Sequence, residues 1–219
     1  MTKLTQTLAI LLCLTAVTPM LAQEATDPAA TTEAAPEGDA ATGSDLNLGT
    51  EVGRAEGPGS TYVAASFESW EQRCVRAAEG GADTCQLYQL LKDTKGNSVA
   101  EITMFGLPEG QEAAAGATVI APLETLLTEG MLLQIDTGKA KAYPFTWCSA
   151  IGCVARIGLT AAEVEALKKG NKATLTIVPV VAPAEKVLLD VSLKGFTAGF
   201  TAVNEANAKA DAAAPAPAP

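Results

Sequence analysis

Four cysteines, Cys74, Cys85, Cys148 and Cys153, follow an N-terminal apolar stretch, and together they constrain this chain more than any other feature. Lys3 supplies a short positive start, Leu8 to Val17 forms an apolar run, and Pro19 ends it. That is the anatomy of a secretory signal, too short to span a bilayer. Ala22 is the expected last residue before cleavage, so residues 1–22 read as a signal peptide. The fifth cysteine, Cys13, lies inside the apolar run and leaves with it. An even number of cysteines in an exported chain reads as a disulfide framework.

Four cysteines allow three pairings. Cys74 with Cys85 and Cys148 with Cys153 are favoured, because each pair flanks a turn between neighbouring strand segments. Both closed loops are short, so chain entropy gives each bridge about 2–3 kcal/mol. A zinc site would need thiolates in closely spaced pairs, whereas the spacings are C-x10-C and C-x4-C in a chain with 0 histidines. A redox centre would place Cys-x-x-Cys at a helix start, and neither pair has that form.

Composition divides the rest of the chain. Residues 23–60 carry eight acids and one base, Arg54, with almost no large apolar side chain. Such a segment cannot bury enough surface to offset its ordering entropy, so it is expected to be a disordered acidic linker. Residues 204–219, rich in Ala and Pro, are expected to be a disordered tail. Between them, residues 61–203 hold 15 acids against 12 bases. No further stretch approaches eighteen apolar residues, so the mature chain is expected to be at most peripheral to a membrane. A net charge of −10 argues against nucleic acid, which is bound by displacing counterions with basic side chains.

Within 61–203, short β-branched runs alternate with turn residues. The expected strands are Val63–Phe67, Ser69–Arg76, Cys85–Lys92, Val99–Phe105, Thr118–Ala121, Met131–Asp136, Ala142–Cys148, Cys153–Leu159, Ala173–Val178 and Lys186–Leu193. Thr160-Ala-Ala-Glu163 is a capping box that opens a helix carrying Val164 and Leu167 and stopping at Gly170. A second short helix is expected after Gly195, where Phe196, Phe200 and Val203 share a face. The fold class is therefore all-β: one β-sandwich-like domain with one or two short helices and two disulfides.

The absence of histidine removes Ser-His-Asp and Cys-His catalysis and the commonest transition-metal ligand. Asp136-Thr-Gly138 is similar to the Asp-Thr-Gly of aspartic proteases, but Lys139 follows where Ala or Ser is normal, and Asp-x-Gly after a strand is a common turn. Ser192-Leu-Lys194 lacks the Ser-x-x-Lys spacing of penicillin-recognising enzymes. Gly106-Leu-Pro-Glu-Gly110 lacks the Lys-Ser/Thr of a phosphate loop. No catalytic, cofactor or metal residues are expected.

Several blocks, in order, give the chain a resemblance. They are Phe67-Glu-Ser-Trp-Glu-Gln-Arg-Cys74, Cys85-Gln-Leu-Tyr-Gln89, Gly130-Met-Leu-Leu-Gln-Ile-Asp136, Tyr143-Pro-Phe-Thr-Trp-Cys148 with Gly152-Cys153, and Ser192-Leu-Lys-Gly-Phe-Thr197. Over about 66–203 the sequence resembles the invasion-associated locus B family of alphaproteobacteria. It departs at Gly106–Ala117, which is rich in Glu and Ala, and in its long acidic linker. The resemblance implies an exported periplasmic or outer-membrane-associated protein of no known enzymatic activity, contributing to host-cell entry in pathogenic members. It also implies that Cys74, Cys85, Cys148 and Cys153 are the family's cysteines. The expected function is a non-catalytic interaction module of the envelope whose partner is an envelope or host-surface protein. The rivals are a hydrolase using Asp136 and a structural or stress-related envelope protein.

Overall fold

The structure, a computed structural model, describes Gly49, residues 56–79 and residues 81–213. The signal peptide expected at 1–22, most of the 23–60 linker and the tail from 214 lie outside the described residues.

The strands are β1 (Thr61–Phe67), β2 (Trp70–Val75), β3 (Thr84–Lys92), β4 (Ser98–Gly106), β5 (Ala115–Ala121), β6 (Met131–Ile135), β7 (Lys141–Tyr143), β8 (Trp147–Ser149), β9 (Gly152–Leu159), β10 (Lys172–Ile177) and β11 (Val187–Ser192). Two helices, α1 (Ala161–Lys169) and α2 (Phe196–Ala213), complete the order. The fold is mostly β, a curled antiparallel sheet with two disulfides.

The strand order β7-β6-β10-β11-β3-β4-β5-β9-β8 explains the curl. Its two ends, β7 and β8, are neighbours in sequence, separated by Pro144, Phe145 and Thr146. Four peptide steps of about 3.8 Å hold them within about 15 Å of each other. Eight strand spacings laid flat would put them about 38 Å apart. The sheet must roll up. Helix α1, which leaves β9 directly, is fastened to β7 by a Lys141–Glu163 ion pair of 2.7 Å.

Three expectations are corrected. Ala142–Cys148 is two strands, because Pro144 has no N–H to give to a ladder. The strand expected at Thr118–Ala121 starts at Ala115. The second helix is long, running to Ala213, so the tail expected from 204 is helical through 213. Its buried residues Phe196, Phe200, Val203 and Ala210 form one stripe, and the intervening alanines are strong helix formers. Two asparagines then fix the helix to strand ends. Asn204 Oδ1 accepts Gly106 N–H at 2.8 Å. Asn207 accepts Cys85 N–H at 2.8 Å and donates to Cys85 C=O at 2.9 Å, standing in for a neighbouring strand.

The core fills the inside of the curl. Trp70, Leu87, Ile102, Val119, Leu175, Leu189 and Phe196 are buried there. Trp70 meets Phe196 edge-on at 5.5 Å, and Phe196 stacks on Phe200 at 5.4 Å. β3 and β11 share one backbone pair, Asp190 with Lys92. The buried Gln89 bridges the gap, donating to Ser69 C=O and Ser192 C=O and accepting Ser192 N–H. Trp70 Nε1 donates to the same Ser192 carbonyl at 2.7 Å. Gly195 has φ +81°, and a Cβ there would strike the Phe67 carbonyl, so both backbone and space call for glycine.

Candidate interaction surface

Side chains directly opposite one another on paired strands share a face. Register therefore gives the outer surface of β3-β4-β5-β9-β8 row by row. Trp147 lies opposite Val154, Val154 opposite Ile120, Ile120 opposite Glu101, and Glu101 opposite Leu90. That row is apolar except at Glu101. The next is polar: Arg156, Thr118, Thr103, Tyr88 and Glu71. The Arg73 guanidinium lies 3.2 Å from the centre of the Tyr88 ring and pairs with Glu71 at 2.8 Å. Burial raises the Tyr88 phenol above its ordinary pKa, with Glu101 adding to the effect.

The apolar row continues into a groove of about 350 Å³, lined by Leu90, Val99, Ile120, Pro122 and Ile151. Ile151, at the tip of the β8–β9 hairpin, is 67% exposed, and Trp147 is 49% exposed. Beyond Pro122 the 122–129 loop pairs with the 178–186 loop: Leu126 N–H donates to Val178 C=O, and Val180 N–H to Glu124 C=O. Together these loops expose Leu123, Leu127, Val180 and Val181, the last at 79%. Of the ten large apolar side chains exposed among the described residues, seven lie in this row, its groove or these two loops. Such a concentration of exposed apolar side chains is a mark of contact with another molecule.

The residues singled out in the sequence behave as follows. The disulfides are Cys74–Cys85 and Cys148–Cys153. Both join residues directly opposite in register, across β2–β3 and β8–β9. Asp136, at φ +45°, is a turn residue. Its Oδ1 accepts the N–H groups of Asn171 and Lys172, each at 3.1 Å, so the carboxylate holds the start of β10. The Ser192 hydroxyl bonds Ser69 Oγ at 3.0 Å and the Lys194 backbone N–H at 3.4 Å, with no bond to the Lys194 ammonium. Gly106–Ala117 spans the end of β4, the 107–114 turn and the start of β5, and Leu107, Pro108 and Ala114 line a groove together with Val164 and Phe200. Among the described residues, no group of three or more acidic or Cys side chains is placed to hold a metal.

Electrostatics also fix α1. Thr160 and Glu163 form the capping box, and Glu163 takes the Lys141 ammonium as well. Burial pushes the Glu163 carboxyl upward, but the bonds from Lys141 and Thr160 outweigh it and leave it below the ordinary glutamate range. The same bond raises Lys141. Elsewhere the Tyr62 hydroxyl donates to Asp83 at 2.6 Å, which raises the phenol and lowers the carboxyl.

Sequence reasoning missed Gln89, Asn204, Asn207 and the exposed Trp147–Ile151 tip. The asparagines had a signal: they continue the spacing of the Phe196 stripe, offset onto its polar flank.

Comparison with known proteins adds the following. Residues 70–204 match the family model described as "Invasion associated locus B (IalB) protein". Two invasion protein B homologs of Brucella abortus, from strain 2308 and from biovar 1 strain 9-941, are each 24% identical over 145 residues. Each alignment covers 66% of this chain and 81% of the relative. The crystal structure of invasion associated protein B from Bartonella henselae superposes with a TM-score of 0.55 at 20% identity, over 66% of this chain and 97% of that one. That likeness concerns the fold.

Proposed function

The chain belongs to the invasion associated locus B family, and from that premise we propose that it is an exported, non-catalytic interaction module of the bacterial cell envelope. Its partner in this reading is a protein of the envelope or of a host-cell surface, reached from the periplasm or the outer membrane. The observation that carries the proposal is the concentration of exposed apolar side chains, Leu90, Trp147 and Ile151 around the half-buried Ile120, with Leu123, Leu127, Val180 and Val181 on the two paired loops. Leaving that much apolar surface in water costs about 25 cal/mol per Å² relative to covering it. Export is supported by Lys3, the Leu8–Val17 run and Pro19, and by two disulfides, which persist in oxidising compartments. No described helix is long and apolar enough to cross a membrane. A role in host entry rests on the names of the Brucella and Bartonella relatives.

Asp136 supports the hydrolase reading poorly. Its Oδ1 is committed to two backbone N–H groups at the start of β10, a turn arrangement rather than the proton-sharing carboxylate pair such catalysis uses. The test compares purified mature protein with an Ile151→Ser/Trp147→Ser variant for binding to envelope fractions and to host cells. The reading predicts saturable binding that the double variant loses while Asp136→Asn retains it. Absence of binding in both preparations, or equal binding by both proteins, overturns it.

A further inference from the structure

The two disulfides have the same local design and opposite surroundings. Cys74 and Cys85 are 1% and 5% exposed, in the core beneath α2, where Asn207 holds the Cys85 backbone. Cys153 is 1% exposed, but Cys148 is an exposed residue on β8. β8 is a three-residue strand at the end of the sheet, paired among the described residues only with β9. The Cys148–Cys153 bond therefore joins the terminal strand β8 to β9, with its exposed residue, Cys148, on β8. Thiolate attack on a disulfide proceeds along the sulfur–sulfur axis, and access to the attacked sulfur is one of the terms that set its rate. Cys148 is the exposed end of the bond and Cys153 the buried end.

We propose that Cys148–Cys153 is a thiol–disulfide exchange site that accepts an external dithiol at Cys148, while Cys74–Cys85 is a permanent brace. One thiolate of the dithiol bonds to Cys148 Sγ; the Cys148–Cys153 bond breaks, and its electron pair leaves on Cys153 Sγ, which takes a proton. The second thiolate then attacks the dithiol's own sulfur in the mixed disulfide and releases Cys148, which is protonated in turn. The dithiol is oxidised to a disulfide, and the two cysteines gain two electrons and two protons. The fold survives the step, because β9 stays paired with β5 along seven residues, Ala115–Leu159 to Ala121–Cys153. What changes is the hairpin: its cross-strand covalent tie is lost, loosening Trp147 on β8 and Ile151 at the tip, the latter a lining residue of the apolar groove.

The experiment exposes native, folded protein to graded dithiothreitol, quenches by alkylation, and maps each cysteine by mass, with far-UV circular dichroism recorded throughout. The proposal expects Cys148 and Cys153 to be labelled roughly tenfold or more faster than Cys74 and Cys85, with an unchanged spectrum. Two variants place the attack. With glutathione disulfide as the probe, Cys153→Ser should form a mixed disulfide at its exposed Cys148, and Cys148→Ser should leave its buried Cys153 unreacted. Equal rates for the two bonds overturn the proposal, as does opening of Cys148–Cys153 only where the spectrum reports unfolding. Faster reaction at Cys153 than at Cys148 in the variants overturns it too. If a variant fails to fold, the wild-type labelling order decides alone.

Discussion

The β2–β3 hairpin and the β8–β9 hairpin are the same device in two places. Each is an antiparallel pair with a disulfide between directly opposed residues. Chain entropy treats them nearly alike: the sequence separations of 11 and 5 correspond to about 2.8 and 2.2 kcal/mol. The folded environments differ far more. The first hairpin has β1 on one side, β4 on the other and α2 over its inner face, so its sulfurs are core atoms. The second ends the sheet. A crosslink of a given loop length is thus a brace or a removable clasp according to what packs on it.

Removing the braces tests that contrast most strongly. A Cys74→Ala/Cys85→Ala double variant should lose about 4 kcal/mol, adding a core cavity to the entropy term, and the midpoint of denaturant unfolding measures it. Cys148→Ala/Cys153→Ala should lose about 2 kcal/mol or less, since the hairpin opens locally without emptying the core. If the second loss equals the first, the contrast fails.

A sharper probe leaves the sulfurs alone. Asn207→Ala should cost about 1–3 kcal/mol, because it strands a buried N–H and C=O at Cys85; Asn207→Asp should recover part, restoring the acceptor alone. Chemical denaturation of the two variants, side by side, reads the difference.

The α1 latch beside the open edge is a smaller effect, and it depends on pH. The Glu163 carboxyl is held below the ordinary range in the fold, so its stabilisation is present above the unfolded value and lost as pH falls through the folded one. Thermal melts of wild type should therefore drop more steeply below the ordinary glutamate range than melts of Glu163→Gln. At neutral pH, Glu163→Ala should cost about 1 kcal/mol through the cap. Parallel pH curves for the two proteins would remove Glu163 from the account.

Smallest of all should be the stability cost at the hairpin tip. Ile151→Ser should shift stability by about 0.5 kcal/mol or less, as exposed substitutions do, whereas the same polar change at the buried Leu87 should unfold much of the protein. Melting temperatures of the two variants give the comparison directly.

How much was legible in the sequence follows from the same contrast between covered and uncovered elements. Strands with period-2 patterning were readable because one face is buried: Met131–Ile135 and Lys172–Ile177 match their expected segments within a residue or so. The α1 capping box was readable because it is local chemistry, Thr160 and Glu163 three residues apart. Ala142–Cys148 misled because Pro144 acts on the ladder, a partnership the local pattern does not display. The length of α2 was hidden because alanine reads equally as tail or helix, and what decides is distant: Asn204 reaching Gly106 and Asn207 reaching Cys85. The interaction surface was the least legible part. Leu90, Ile120 and Trp147 are far apart in sequence and become neighbours only through register across four strand pairings.

Site-specific photo-crosslinking in intact envelope tests the central claim most directly, with a probe replacing Ile151 at the open hairpin or Lys169 at the C-terminal end of α1. The account predicts a discrete covalent partner from the Ile151 probe and none from Lys169. Equal yield of the same partner from both positions, or from Lys169 alone, would contradict it.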